Sequence, residues 1–476
     1  MASMSTLRVL PLVLGISMAS QVAHAADLLT IAQDALLNNA SLAADRAGVN
    51  ATQEGEAIAR GSLLPQVTAN GNITRYHVSN SESSRAANGL SSGGDNTYNS
   101  SAIELQATQS LFDATNWYTL QAAKRQSAQQ ALNFSNNRQV MLYNVASAYF
   151  EVLRAKELLD TYRAAETAYQ RQLDQTREQF DVGVIASTDV REAEASYDSA
   201  RAQRISQESI LRVNFEALEQ LTGKQYPSID RLSEELPIQP PEPTSRQAWV
   251  EMASTQNLAL RAARAGIDLA RENVRVARAG HLPTLSAVAN YQYGDSNRSN
   301  YIGYDESNSI GLQATLPIYT GGSTSAQVRQ NTYSLEQAQF TAEEQLRTAV
   351  QQVSSFFAQA NNDVLTVEAR QRAIVSNRAA LQATQDGYDA GTRTILDVLT
   401  AQQNYYTALS DYASARYDYV LNMLSLRQQA GVLDVDTLDV LNRWLVVDDS
   451  PVRIDAQGEQ PIGDAQIDLS QMGMQQ

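Results

Sequence analysis

The sequence predicts an α+β membrane protein: very long helices joined to short membrane strands, with the whole plan written twice. Three observations carry that prediction. They are a tandem internal repeat, four stretches free of glycine and proline that exceed any compact core, and four segments of period-two hydropathy. Composition sets the outer bounds. The 476 residues carry 36 basic and 52 acidic side chains, a formal net charge of −16, three histidines and no cysteine. Without cysteine there is no disulfide framework, thiolate nucleophile, iron–sulfur cluster, cysteine-type zinc site or lipidated N-terminal cysteine. A pI near 4.7 argues against nucleic acid as a partner, since affinity for phosphate backbones comes from Lys and Arg.

The chain opens with an address. Arg8 precedes an apolar stretch over 9–16, followed by Ala23-His24-Ala25. That is the basic, apolar and A-x-A order of a secretory signal peptide, assigned to 1–25. The apolar run is too short to span a bilayer, and no later stretch reaches the roughly 18–20 apolar residues a membrane helix needs. Any membrane segment must therefore be a β-barrel.

The remainder is duplicated. Leu105-Gln106-Ala107-Thr108 recurs as Leu312-Gln313-Ala314-Thr315, an offset of 207, and Leu64-Pro65 recurs as Leu282-Pro283. Phe180-Asp181-Val182-Gly183 matches Tyr388-Asp389-Ala390-Gly391 at an offset of 208, as Gly223 matches Gly431. The predicted units are 26–222 and 244–431. A linker at 223–243 separates them, a segment at 432–447 follows, and an acidic tail at 448–476 reads as disordered.

Helices are predicted over 113–182 and 323–386, which contain 70 and 64 residues with neither Gly nor Pro. They are followed by 184–222 and 392–430, 39 residues each. All are rich in good helix formers. At 1.5 Å per residue the longer pair would each extend about 100 Å. In the last helix, apolar or aromatic pairs fall every seven residues, from Val398-Leu399 through Tyr405-Tyr406 and Tyr412-Ala413 to Tyr419-Val420, a coiled-coil-like seam.

Strands are predicted over 64–79, 98–112, 282–294 and 309–319, each alternating apolar and polar residues. A half-buried soluble sheet would alternate in the same way. The connections 80–96 and 295–308 are rich in Ser, Asn and Gly and suit long surface loops. Four strands cannot enclose anything, because about eight is the smallest workable barrel. An open sheet in lipid would leave its edges unpaired. If these strands are in a membrane, several chains share one barrel, and the helices make it an envelope-spanning conduit.

These residues carry a resemblance. Leu63-Leu64-Pro65, Gln109-Ser110-Leu111-Phe112-Asp113, the run from Tyr169 to Thr176, Gly280-His281-Leu282-Pro283-Thr284, Leu316-Pro317-Ile318-Tyr319 and Gly391-Thr392-Arg393-Thr394 resemble the TolC family of outer-membrane efflux and type I secretion channels of Gram-negative bacteria. The resemblance covers about 27–445. It implies a homotrimer whose three chains build a 12-stranded outer-membrane β-barrel continuous with a 12-helix periplasmic α-barrel. It implies partnership with a periplasmic adaptor protein and an inner-membrane RND, MFS or ABC pump, and contact with outer-membrane lipid.

It also implies a gate at the periplasmic end. Arg393 would bond to Thr188 and Asp189, Tyr388 would bond to Asp189, and Asp397 would line the constriction with Thr400, where the family often has a second Asp. Gly183, Val184, Gly391 and Thr392, at the helix corners, would receive the adaptor. From spacing alone, Arg393 and Asp397 also fit an ordinary exposed i,i+4 helix pair. Two alternatives compete with a channel. An enzyme has little to work with, since only His77 and His281 outlast the signal peptide and no cofactor motif is present. A trimeric coiled-coil tether or adhesin would lack the strand pairs inserted once per repeat.

Overall fold

The computed structural model describes residues 25–78, 96–233, 235–297, 304–446 and 452–453. The expected signal peptide up to His24, the loop over 79–95 and most of the tail lie outside the described residues. Two short helices, α1 (Leu28–Asn38) and α2 (Ala40–Gly61), lead into β1 (Gln66–Val78) and β2 (Asn96–Phe112). The long helices α3 (Ala114–Asp181) and α4 (Ser187–Thr222) follow, then the two-residue strands β3 (Ser228–Ile229) and β4 (Arg231–Leu232). The same order recurs as α5 (Arg246–Gln256), α6 (Leu258–Ala279), β5 (Thr284–Ser296), β6 (Tyr304–Thr315), α7 (Ser323–Asp389) and α8 (Ile395–Ala430). A helix α9 (Val435–Asn442) and the strands β7 (Leu445–Val446) and β8 (Val452–Arg453) end the described chain.

Proline sets where the strands stop and start. β1 begins one residue after Pro65, β5 one residue after Pro283, and β6 ends two residues before Pro317. A proline has no N–H for the ladder, so Leu316 and Ile318, expected in the last strand, fall outside it. At the other end the strands outrun expectation. β6 starts at Tyr304 and β5 reaches Ser296, so both ends of the loop expected over 295–308 are paired backbone. The side chains there are polar, but a ladder is made by the backbone and tolerates them. The tail expectation is corrected too: Val452 is 1% exposed and β8 pairs with β3.

The four long strands form one antiparallel sheet in the order β1-β2-β5-β6. Its register aligns Val67, Ala107, Ala289 and Ile310 across all four strands, and the next row but one carries Ala69, Leu105 and Tyr291, with Asn308 as its one polar member. The alternate rows carry Thr68, Gln106, Asn290 and Ser309, then Asn70, Glu104, Gln292 and Ser307. One face is thus apolar and the other polar. The apolar face is open: Ile73 is 86% and Ile310 90% exposed. Aromatic residues mark its margins, with Tyr293 stacked on Tyr304 at 5.6 Å at one end and exposed Phe112 at the other. No described helix is long and apolar enough to cross a membrane.

The core sits midway along the long helices. There α1 and α9 pack on α3, α4 and α8 through Leu28, Ile31, Tyr149, Phe150, Leu218, Leu424 and Leu438, all buried. Tyr149 donates to the Asp230 carbonyl at 2.8 Å. Arg416 reaches the Ser233 carbonyl at 2.8 Å and Glu157 at 3.4 Å, and Tyr417 donates to Glu157 at 2.9 Å. These bonds fasten the linker across α3 and α8.

Among the described residues the outer edges of β1 and β6 have no strand partner. Their pairing in lipid requires further copies. Purified in detergent, the protein should scatter light with the mass of three chains, and a monodisperse monomer would contradict the shared barrel.

Candidate gate at the helix corners

The far ends of the long helices reverse through two matching turns. At the first corner the Val184 N–H donates to the Gln179 carbonyl at 2.9 Å and the Gly183 N–H to the Phe180 carbonyl at 2.8 Å. At the second, Thr392 donates to Gly387 at 2.8 Å and Gly391 to Tyr388 at 2.9 Å. Both are Schellman turns, which need a left-handed residue. Gly183 has φ +78° and Gly391 φ +73°, and a Cβ on either would meet nothing within 4 Å. Conformation alone, not space, demands glycine there. Val182 and Val184 are both more than 70% exposed, so the first corner is apolar where the second carries Thr392 and Arg393.

The helices that leave these corners start differently. Thr394 caps α8: its Oγ1 accepts from the Asp397 N–H at 3.2 Å, and Asp397 Oδ2 accepts from the Thr394 N–H at 2.9 Å. This is a capping box. The repeat offset places Ala186 where α8 has Thr394 and Asp189 where it has Asp397. Alanine cannot cap, so the Asp189 carboxylate is left with only a 3.4 Å contact from the Thr188 hydroxyl. Hydrogen bonds from the Thr394 backbone, then its hydroxyl, hold the Asp397 carboxyl below the usual carboxylate range, with Arg393 adding to the effect.

The same offset shows how duplication split the polar groups. Tyr388 corresponds to Phe180, Arg393 to Ile185, and Thr188 to Leu396. Both repeats keep the carboxylate, as Asp189 and Asp397, but only the second carries the phenol and guanidinium donors.

Within one chain the structure brings some of the expected residues together. Tyr388 donates to Gln179 Oε1 at 2.6 Å, which corrects the expected bond to Asp189. Gln179 lies one turn before the corner and its amide oxygen reaches the phenol first. Burial raises the Tyr388 pKa, and the negative charge of Asp189 raises it further, so the two sit within electrostatic reach. The Arg393 stem lies over Gly387, where a Cβ would stand 2.8 Å from Arg393 Cγ. Its guanidinium makes no ion pair among the described residues of a single chain, so the expected bonds to Thr188 and Asp189 are not intrachain bonds. Thr400 is exposed one turn beyond Asp397. The Thr394-x-x-Asp397 spacing was a legible capping signal; nothing local marked Gln179.

Behind the gate, α8 is seated on α3 and α4. Ile395, Val398 and Leu399 pack with Ala165, Tyr169 and Ala200, flanked by Tyr197, Tyr388 and Tyr406. Burial, with Tyr406 nearby, pushes the Tyr169 hydroxyl up to about 12. Arg204 bridges Glu166 on α3 at 2.7 Å and Glu208 on its own helix at 2.9 Å. Arg154 and Asp418 tie α3 to α8 at 2.7 Å. Any movement of the corner must slide this seam.

Replacing Thr394 by Ala should speed amide exchange in the first turn of α8 about fivefold at neutral pH, from loss of the cap. The folded Asp397 pKa lies below its ordinary 3.8. Its share of the cap is therefore present above pH 3.8 and lost as pH falls through the folded value. The difference between the two proteins should shrink in that acid range, as read by hydrogen-exchange mass spectrometry.

The fold and its sequence have known counterparts. The outer membrane efflux protein family model matches residues 31–224 and 249–432, one block per repeat. Outer membrane protein TolC of Escherichia coli strain K12 is 36% identical over 452 residues, covering 92% of this chain and 89% of TolC. The alkaline protease secretion protein AprF of Pseudomonas aeruginosa is 31% identical over 370 residues, 75% of each chain. The crystal structure of the Campylobacter jejuni CmeC outer membrane channel superposes with a TM-score of 0.72 at 18% identity, covering 88% of this chain and 90% of CmeC. With both repeats matched and the order of elements conserved in three dimensions, this chain belongs to the outer membrane efflux protein family.

Proposed function

We propose that three copies of this chain form a gated exit duct through the outer membrane. The duct passes small molecules and type I secreted proteins delivered by an inner-membrane RND, MFS or ABC pump through a periplasmic adaptor. The observation that carries the reading is the sheet: apolar on one face, polar on the other, open at both edges, and continuous with helices about 100 Å long. Lipid takes the apolar face, and the polar face lines a water-filled lumen. A tether or adhesin would have no use for such a sheet. TolC is named an outer membrane protein and AprF a protease secretion protein, which supports both the location and the cargo. The chain carries out no chemistry of its own. Its first 25 residues serve as the export signal.

The gate is the ring of corners. Arg393 is exposed and without an ion pair among the described residues of its own chain, so its bonds to Thr188 and Asp189 run from one subunit to the next. A guanidinium fork on a carboxylate is strong and directional. Tyr388 braces the same corner from within through Gln179. Asp397 forms an acidic ring, and Thr400 gives the next layer hydroxyls in place of carboxylates. The adaptor approaches Gly183, Val184, Gly391 and Thr392, where small residues expose backbone.

In planar bilayers the Arg393→Ser, Tyr388→Phe double variant should show several-fold larger single-channel conductance, and cells carrying it should become sensitive to vancomycin. Equal conductance of variant and parent would mean that the duct is held shut elsewhere; failure of either to conduct would remove the duct itself. Asp397→Asn should weaken divalent-cation block while hardly changing resting conductance, because it removes charge from the ring without touching the Arg393 contact.

A further inference from the structure

The apolar face of the sheet carries charge at few positions, and two of these stand on the unpaired edge strands. Following the pleat, Val67, Ala69, Gly71 and Ile73 of β1 share their face with Arg75. On β6, Ile310 and Leu312 share theirs with Glu306. The cation is on one open edge and the anion on the other. Both lie at the outer margin of the apolar band, beside the Tyr293–Tyr304 stack. Glu306 lies on the same face as Tyr291 and within its electrostatic reach. Arg75 is exposed and has no ion-pair partner among the described residues of one chain.

The register across the seam between two chains follows from two constraints. To keep the apolar face continuous, odd positions of β1 must oppose even positions of β6, because a slip of one residue would turn every side chain to the wrong face. β1 starts at Gln66 and β6 stops at Thr315, each set by a neighbouring proline. Level ends put Gln66 of one chain opposite Thr315 of the next, a pairing that satisfies the parity rule. Counting along the antiparallel strands then sets Val67 against Ala314, Ile73 against Asn308, and Arg75 against Glu306.

We propose that Arg75 of one chain and Glu306 of the next form an interchain ion pair, repeated at each of the three seams, which fixes the register in which the barrel closes. This rests on the trimeric-barrel reading. Opposite charges on the two edges favour β1 against β6. They disfavour β1 against β1 or β6 against β6, where like charges would sit on lipid-facing backbone. The pair is thus a device for choosing the closed ring over an open or head-to-head assembly.

The cysteine-free chain allows a direct test. Directly opposed strand residues have Cα separations within the range a disulfide spans. The variant Arg75→Cys with Glu306→Cys, oxidised in outer membranes, should run as covalent trimers on heated, non-reducing gels. Either single variant should run as monomers, and the offset pair Gly71→Cys with Glu306→Cys should not link. Arg75→Glu should lower the temperature at which detergent dissociates the trimer, and the swap Arg75→Glu with Glu306→Arg should restore it. Trimers by light scattering that never link through 75 and 306, or that link through 71 and 306 instead, would overturn the proposed register while leaving the trimer intact. Monomers by light scattering would overturn both.

Discussion

An unpaired backbone amide in hydrocarbon costs several kcal/mol, and the architecture of this chain answers that single constraint. Its membrane part is four strands with both edges open. No described strand of one chain satisfies those edges, so the barrel exists as an assembly, and the assembly places everything else. Once three sheets close on one axis, the long helices that continue them are arranged around the same axis. Their corners are then brought into a ring.

The helices need a different kind of support. A helix of 68 residues such as α3 cannot be stabilised along its whole length by one core, and the buried residues are accordingly clustered. The large cluster at mid-height, with Tyr149, Phe150 and Leu424, anchors the helices where α1, α9 and the linker wrap them. A smaller one near the corners, built on Tyr169, Ile395 and Val398, holds the end of α8. Between them the helices are joined by spaced polar contacts such as Arg370 to Asp411 at 2.7 Å and Arg163 to Glu208 at 3.5 Å. Partly exposed pairs of this kind contribute little each. The lower shaft is therefore easier to move than the mid-height collar, which suits a duct that opens at its corner end.

Duplication supplied two equivalent hairpins, and divergence made them complementary. The loss of a capping hydroxyl at Ala186 leaves Asp189 free to accept a partner, whereas Thr394 occupies Asp397. Phe180, Ile185 and Leu396 are apolar where their counterparts Tyr388, Arg393 and Thr188 are polar. Each hairpin presents what the other lacks, so a ring of alternating hairpins can be cross-linked at every contact.

By itself the sequence determined the duplication, the four long helices and their glycine corners, and the two-faced strands. These are local signals: propensity, pleat parity, turn chemistry and spacing act over a few residues and survive without a fold. The strand bounds were legible only to within a few residues: strands stop short of the prolines they were expected to cross, and ladders continue under polar side chains that look like loop. Contacts between residues far apart in the chain were not legible. Tyr388 meets Gln179, 209 residues away in sequence, and β8 returns to β3 from the far end of the chain. Such pairings depend on how α3, α7 and α8 lie against each other, and only the packed tertiary structure decides which donor reaches which acceptor first.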